Sequence, residues 1–431
     1  MNLSHFFLVL AFLGATAFQG RAQYCVEGRY GAEDTLFLQD DVRLEVDLEY
    51  GRAVDWLGDT VSLKLDVYYP DPALDTAALR PVILYLHGGG FHAGSKSNQK
   101  GREWAISFVR RGYVFVAADY RLGWPAVDSC AADTSLYMRA VYRATQDVRA
   151  AYRWMVEFSE SWAMDTNQIV LLGTSAGSGA AMFATYSVEG DLGAYLSEEL
   201  GPLDGSGNEY RHAFNPVAIV TKSAALDNLE VLSRRNIPHL MFHGTCDLTV
   251  PYTKGAIFHC YAPNKFIDVY GSGDIAAELN RLGRCNTLYK NIGQGHGAVS
   301  DDTVVVYMAE FMQSLFCETC ETEFIERVSK TDVCADRSGK KSTLEFLFPN
   351  PSNGQFQVIL SGPRDEMIPI ELYNTAGQRL IQEYREFLAP VQRWSIDWSG
   401  FNTGVYFLKI GNNDRSTVKP LLIQPQAPAG L

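Results

Sequence analysis

The sequence has no basic excess and no block of like charge. Across 431 residues, 37 Lys and Arg stand against 50 Asp and Glu, a net of −13 with histidine neutral. Phosphate recognition needs a positive field, so this balance argues against a nucleic-acid binder. Apolar runs are short: the N-terminal Phe6 to Phe18 stops below the ~20 residues that span a bilayer, and no other stretch comes near it. A G-x-x-x-x-G-K-S/T phosphate loop is missing. No second C-x-x-C and no H-x-x-x-H follows Cys317-x-x-Cys320, so a zinc cluster is not expected. No internal repeat is visible. What remains is globular, since an apolar share of 47% excludes disorder of the whole chain.

Residues 1–22 read as a secretory signal peptide. The apolar run leads into Gly20-Arg21-Ala22, a small-x-small cleavage pattern, although the segment before it carries no Lys or Arg. Eight cysteines lie beyond it: Cys25, Cys130, Cys246, Cys260, Cys285, Cys317, Cys320 and Cys334. An even number in an exported chain favours disulfides, and structural bridging is the reading for Cys317 and Cys320 too.

From about Val42 to Ser314 strand-like and helix-like segments alternate. Leu63, Leu65, Val67 and Tyr69 recur with period two, as in an antiparallel strand with one buried face. Val82 to Leu86, Tyr113 to Ala118, Ile169 to Leu172 and Leu240 to Phe242 are continuous apolar runs, suited to parallel strands covered on both faces. Met138, Val141, Ala144, Val148, Ala151, Met155 and Phe158 form the buried stripe of a helix. The expected fold over 23–316 is therefore α/β, a mostly parallel sheet flanked by helices. Residues 317–341 are polar and read as a linker. Over 342–431 five short strand-like runs, separated by turn signals such as Ser352-Asn353-Gly354, predict a small all-β sandwich.

Three patterns in the α/β part carry chemistry. Gly173-Thr174-Ser175-Ala176-Gly177 follows the run Ile169 to Leu172. A nucleophile on so tight a strand-to-helix turn is held in strained backbone, and its neighbours two residues away must be small. His87-Gly88-Gly89-Gly90-Phe91 follows Val82 to Leu86, and its glycines let backbone N–H groups meet a developing oxyanion. Asp247 and His296, the latter within Gly295-His296-Gly297, complete the set. A serine hydroxyl needs an imidazole as base, and the imidazole needs a carboxylate to fix its tautomer. The order Ser175, Asp247, His296 is the one expected on such a sheet. Asp227 and Asp274 are reserve candidates for the acid. His92, His212, His239, His243 and His259 read as structural, and no metal or cofactor is required.

With these motifs, and with Asp119-Tyr120-Arg121-Leu122 and Gln146-Asp147-Val148-Arg149 between them, residues 42–314 resemble an α/β-hydrolase carboxylesterase of the H-G-G-G-F group. That group includes type-B carboxylesterases and hormone-sensitive-lipase-like esterases, and feruloyl and acetyl-xylan esterases share much of the pattern. The resemblance implies Ser175 as nucleophile, His296 as general base and then acid, and Asp247 as its orienter. It implies oxyanion donors at Gly89, Gly90 and the amide of Ala176. Thr174 departs from the Asp or Glu common before the serine. The C-terminal part, through Phe348-Pro349-Asn350-Pro351-Ser352-Asn353-Gly354 and Thr403-Gly404-Val405-Tyr406-Phe407, resembles the sorting domain of type IX secretion substrates. That implies passage through the periplasm by the type IX machinery to the surface or surroundings of a Gram-negative cell.

The chemistry expected is ester hydrolysis through an acyl-enzyme. The insertion Val188 to Phe214 falls where this fold often carries a lid. It holds Glu189, Asp191, Glu198, Glu199, Asp204 and Glu209, with Arg211 its only Lys or Arg. An acidic lid would repel anionic lipid surfaces and points to small or carbohydrate-linked acyl esters. The same carboxylates also suit a plain solvated loop. A serine peptidase of the same fold and a non-catalytic surface binding protein are the competing readings.

Overall fold

The structure is a computed structural model that describes residues 23–33, 35–124, 133–259, 266–297, 299–328, 343–361, 366–387, 391–411 and 416–424. The signal-peptide reading lies outside them. In chain order the strands begin with β1 (Val42–Val54), β2 (Thr60–Pro70), β3 (Arg80–Leu86), β4 (Val114–Ala118), β5 (Met164–Thr174) and β6 (Ala218–Lys222). Next come β7 (Ala225–Leu226), β8 (His239–Gly244), β9 (Gly255–Ala256), β10 (Asp268–Gly271), β11 (Asn286–Ile292) and β12 (Glu323–Val328). Nine of these form one sheet in the order β1-β2-β4-β3-β5-β6-β8-β11-β12, while β7, β10 and β9 make a small sheet beside it. β1 and β2 pair antiparallel, as do β2 and β4; every other pair of the large sheet is parallel.

The apolar runs are continuous because both faces are covered. On β3, Val82, Leu84 and Leu86 enter one core and Ile83 and Tyr85 the other. Helices α2 (Thr134–Glu157), α3 (Ala176–Tyr186) and α5 (Ser272–Arg281) feed the first core; α1 (Gln99–Val109) and α6 (Asp301–Phe316) feed the second. Between them in sequence, the short α4 (Ala194–Leu200) lies in the acidic insertion.

Helix α2 is buried far beyond its apolar stripe, because that insertion covers its outer side. Arg153 donates to Ser206 O and the Gln146 amide to Leu200 O, Gly201 O and Pro202 O of the insertion, while Arg149 donates to Ala184 O and Ser187 O at the end of α3. Long polar side chains thus satisfy loop carbonyls that would otherwise be costly to bury.

Two strands and one boundary differ from the sequence expectation. Part of 317–341 is not linker: Glu323–Val328 is β12, the ninth strand, parallel to β11. Its alternating charges, which suggested a linker, suit an edge strand that meets water. Cys317 and Cys320 do bridge, to Cys25 and Cys285, and Cys246 is disulfide-bonded too.

Among the described residues the C-terminal part has seven strands: β13 (Thr343–Phe348), β14 (Gln355–Ser361), β15 (Glu366–Tyr373), β16 (Arg379–Phe387), β17 (Val391–Asp397), β18 (Gly404–Ile410) and β19 (Thr417–Ile423). They form two antiparallel sheets, β13-β14-β17 and β16-β15-β18-β19. Phe356, Val358, Leu360 and Trp394 of one face Ile368, Ile370, Leu372 and Leu408 of the other. β16 and β17 are not expected from the sequence, since they intersperse polar and apolar residues and carry no continuous apolar run. No helix among the described residues is long and apolar enough to cross a membrane.

Candidate active site

Ser175 sits on the turn between β5 and α3 with φ 52° and ψ −117°. A side-chain-bearing residue is strained there, and the turn is held by what surrounds it. A Cβ on Gly173 would lie 2.4 Å from Gly177 O, and one on Gly177 would lie 2.1 Å from Leu86 O. Both positions therefore exclude any side chain. Gly177→Ala is expected to cost about 3 kcal/mol by overpacking against β3, read as a lower denaturant midpoint at unchanged m-value.

The other two side chains come from loops that follow parallel strands, at the same edge of the sheet as Ser175. Asp247 follows β8, and His296 follows β11. The Ser175 hydroxyl donates to His296 Nε2 at 2.9 Å, and His296 Nδ1 donates to Asp247 Oδ2 at 2.7 Å. An ionised carboxylate can only accept, which fixes the proton on Nδ1 and frees Nε2 to take one.

Asp247 is fully buried and fully satisfied. Its Oδ1 accepts from the amides of Thr249 and Val250 at 2.8 and 2.9 Å, and its Oδ2 also accepts from the Ser223 hydroxyl at 2.9 Å. Burial works to raise its pKa, but His296, and His243 at 3.3 Å, hold the carboxyl well below the usual carboxylate range. Ser223 and His243 are the supports that motif reading missed. Neither lies in a recognisable pattern, and each reaches Asp247 only through the fold.

The glycine loop after β3 is arranged by its carbonyls. Gly88 O contacts His87 Nδ1 at 2.8 Å, and Gly89 O accepts from the amides of His92 and Ala93. Across a trans peptide the N–H points opposite to the C=O, so the amides of Gly89 and Gly90 turn away from those bonds. Gly89 and Gly90 line a cavity shared with Ser175 and His296, and Ala176 heads α3 beside them. The Trp124 indole donates to Gly90 O at 2.7 Å and pins the loop.

Two spaces meet at Ser175. A pocket of about 40 Å³ is walled by Phe91, Tyr137, Val141, Phe183, Val250 and Ile257. A cavity of about 430 Å³ contains His296 and is walled in part by Trp124 and Phe258, with Ile359 and Arg393 contributed by β14 and β17.

Several expectations change. The acidic insertion is not a lid: among the described residues, none of 188–214 lines either space. Four of its six carboxylates are instead engaged by arginines or by the backbone. Glu199 pairs with Arg139, Asp204 with Arg149 and Arg153, and Asp191 with Arg234; Glu189 accepts from Leu203 N. His92 lines the larger cavity, and His243 supports Asp247, so neither is merely structural. His239 is structural, bonded to Tyr186 and lowered to about 3 by burial. Of the reserve acids, Asp227 lines the small pocket and Asp274 belongs to α5; His296 bonds to Asp247. No cluster of metal-ligating side chains occurs among the described residues.

A nine-stranded, mostly parallel sheet with a serine on the turn after β5 defines an α/β-hydrolase. Residues 65–212 match the BD-FAE family, and residues 346–424 match the secretion system C-terminal sorting domain. Over these two stretches the chain is thus similar to esterase-type α/β-hydrolases and to the sorting domain of type IX secretion substrates. It is 32% identical over 125 residues to the ethyl acetate hydrolase of Pseudomonas putida, covering 28% of this chain and 33% of that protein. It is 33% identical over 113 residues to esterase LipI of Mycobacterium tuberculosis, covering 26% of this chain and 30% of that protein. The chain thus spans about a third of the length of these curated relatives. Among solved structures, esterase B of Lactobacillus rhamnosis is similar at 18% identity and a TM-score of 0.40, covering 73% of this chain and 96% of that one.

Proposed function

We propose that the protein is a secreted serine carboxylic-ester hydrolase that removes short acyl groups, with Ser175, His296 and Asp247 as its catalytic residues. The observation that carries this reading is the unbroken relay from the Ser175 hydroxyl through His296 to a buried, ionised Asp247. His296 Nε2 takes the serine proton as Ser175 Oγ attacks the ester carbonyl. The amides of Gly89, Gly90 and Ala176 receive the negative oxygen, each such donor being worth about 3 kcal/mol in the transition state. His296 then hands its proton to the alcohol oxygen, the C–O bond breaks, and water repeats the sequence on the acyl-enzyme to release the acid.

The leaving alcohol must lie on the side of His296. The large cavity is therefore the alcohol side and the small apolar pocket the acyl side. About 40 Å³ holds roughly three water-sized occupants at about 10–15 Å³ each, enough for a short acyl tail. On the alcohol side, Trp124 and Phe258 contribute aromatic surface to the cavity, which suits the apolar face of a sugar ring. Carbohydrate-linked short acyl esters are the favoured substrates.

A series of p-nitrophenyl esters tests this. Acetate and butyrate are expected to exceed decanoate in kcat/KM by about tenfold or more. A preference for the long chain would refute the acyl-side assignment. Peptide turnover without ester turnover would refute the esterase reading.

A further inference from the structure

We propose that the alcohol side of the cavity selects acyl esters whose alcohol carries a carboxylate, read by Lys100 and Lys222 with Arg393 on the same wall. This rests on the esterase reading, because the proton relay decides which space holds the alcohol. In a chain with more acids than bases, the charged side chains that line this space are all cationic. They are Lys100, Lys222 and Arg393, and among the described residues no Asp or Glu joins them. The acidic insertion that would oppose an anion faces α2 instead.

Lys222 ends β6, next to Ser223 and therefore close to the relay. Its side chain is only 5% exposed, and its ammonium donates to Val299 O at 2.5 Å. Asp301 Oδ1 is 3.7 Å from Lys222 and 3.1 Å from Lys100, so one carboxylate serves two ammoniums. Burial first, and then Lys100 beside it, pull the Lys222 ammonium down to about 8, against the pull of Asp301. A carboxylate entering the cavity supplies the missing counter-charge, and in a partly enclosed space that attraction is stronger than in water. Arg393 reaches over from β17, where its guanidinium donates to Gln357 Oε1 at 3.1 Å and to Phe258 O at 3.4 Å.

The test uses the full chain with its C-terminal part, and two isosteric acetates, para-acetoxybenzoate and para-acetoxybenzamide, which differ in the charge of the leaving phenol. The anionic ester is expected to have the higher kcat/KM by about tenfold at low salt, with the ratio shrinking as about 500 mM salt screens the field. Lys100→Met and Lys222→Met are each expected to cut that ratio about fivefold, chiefly through KM for the anion, and Lys100→Arg to restore most of it. Lys100 is 39% exposed, so its variant keeps the test open if the buried Lys222→Met does not fold. A merely structural role for the lysines would change both esters together and leave the ratio unmoved. A second pair, acetylated galacturonate and acetylated xylose oligosaccharides, tells a sugar carboxylate from a small hydroxy acid by which pair gives the larger ratio. Equal rates on both members of each pair overturn the anionic class and leave the esterase reading standing. Hydrolysis of none of them overturns both.

Discussion

Ser175→Ala is expected to lower kcat on p-nitrophenyl acetate by about a million-fold, to a residual rate set by the oxyanion amides and binding. The fold should not notice. The hydroxyl lies at the meeting point of two open spaces and makes its hydrogen bond to His296 alone. Alanine keeps the Cβ that the φ of 52° already strains, so the backbone cost is the same on both sides of the comparison. Matched thermal unfolding curves alongside lost turnover would separate chemistry from stability. Retained turnover would mean that the nucleophile is elsewhere.

Asp247→Asn should cost about 10,000-fold in kcat, again with a folded protein. The amide preserves the size of the side chain, but it no longer obliges His296 to keep its proton on Nδ1, and it offers no charge to the imidazolium that forms during attack. A drop of less than about tenfold would show that His296 is oriented by something else. Stability carries a second signature. The Asp247 carboxyl is held below its usual range in the folded state and sits near ~3.9 when unfolded. Its contribution is therefore fully present above that unfolded value and is lost progressively as pH falls below it. The stability gap between wild type and Asp247→Asn should narrow on acidification, which urea titrations at stepped pH would follow.

The two motifs with the strictest local geometry were the easiest to read. Gly173 and Gly177 flank Ser175 because any Cβ there meets backbone, and the glycines after β3 are needed to turn carbonyls away from the cavity. Gly173 clashes within its own turn and Gly177 against Leu86 of β3, yet both requirements fall on letters two positions from Ser175, so they leave a short legible pattern. The alternation of β2 and the runs of β3, β4, β5 and β8 were legible for the same reason. β12 and β16 were not, because edge strands and one-sided sheets tolerate the charged residues that otherwise mark loops.

The acid and its supports are a different case. Asp227, Asp247 and Asp274 all follow or precede strands, and local sequence ranks them only weakly. The fold bonds His296, 49 positions from Asp247, to that acid and sets Ser223 and His243 around it. The insertion 188–214 gives the sharpest contrast. Its composition is acidic on any reading, but whether those carboxylates face substrate depends on where the segment packs. It packs against α2, where the buried Arg149 and Arg153 pair with Asp204 and Arg139 pairs with Glu199.

Consecutive residues alone thus carried the class of fold, the export route and the chemical type of the site, since steric and periodic constraints are local. Which acid meets the imidazole, and which side chains line the two spaces beside Ser175, emerged only with the assembled chain. Each of these turns on distances between segments as much as 121 positions apart, and on which faces lose water when the sheet closes against its helices.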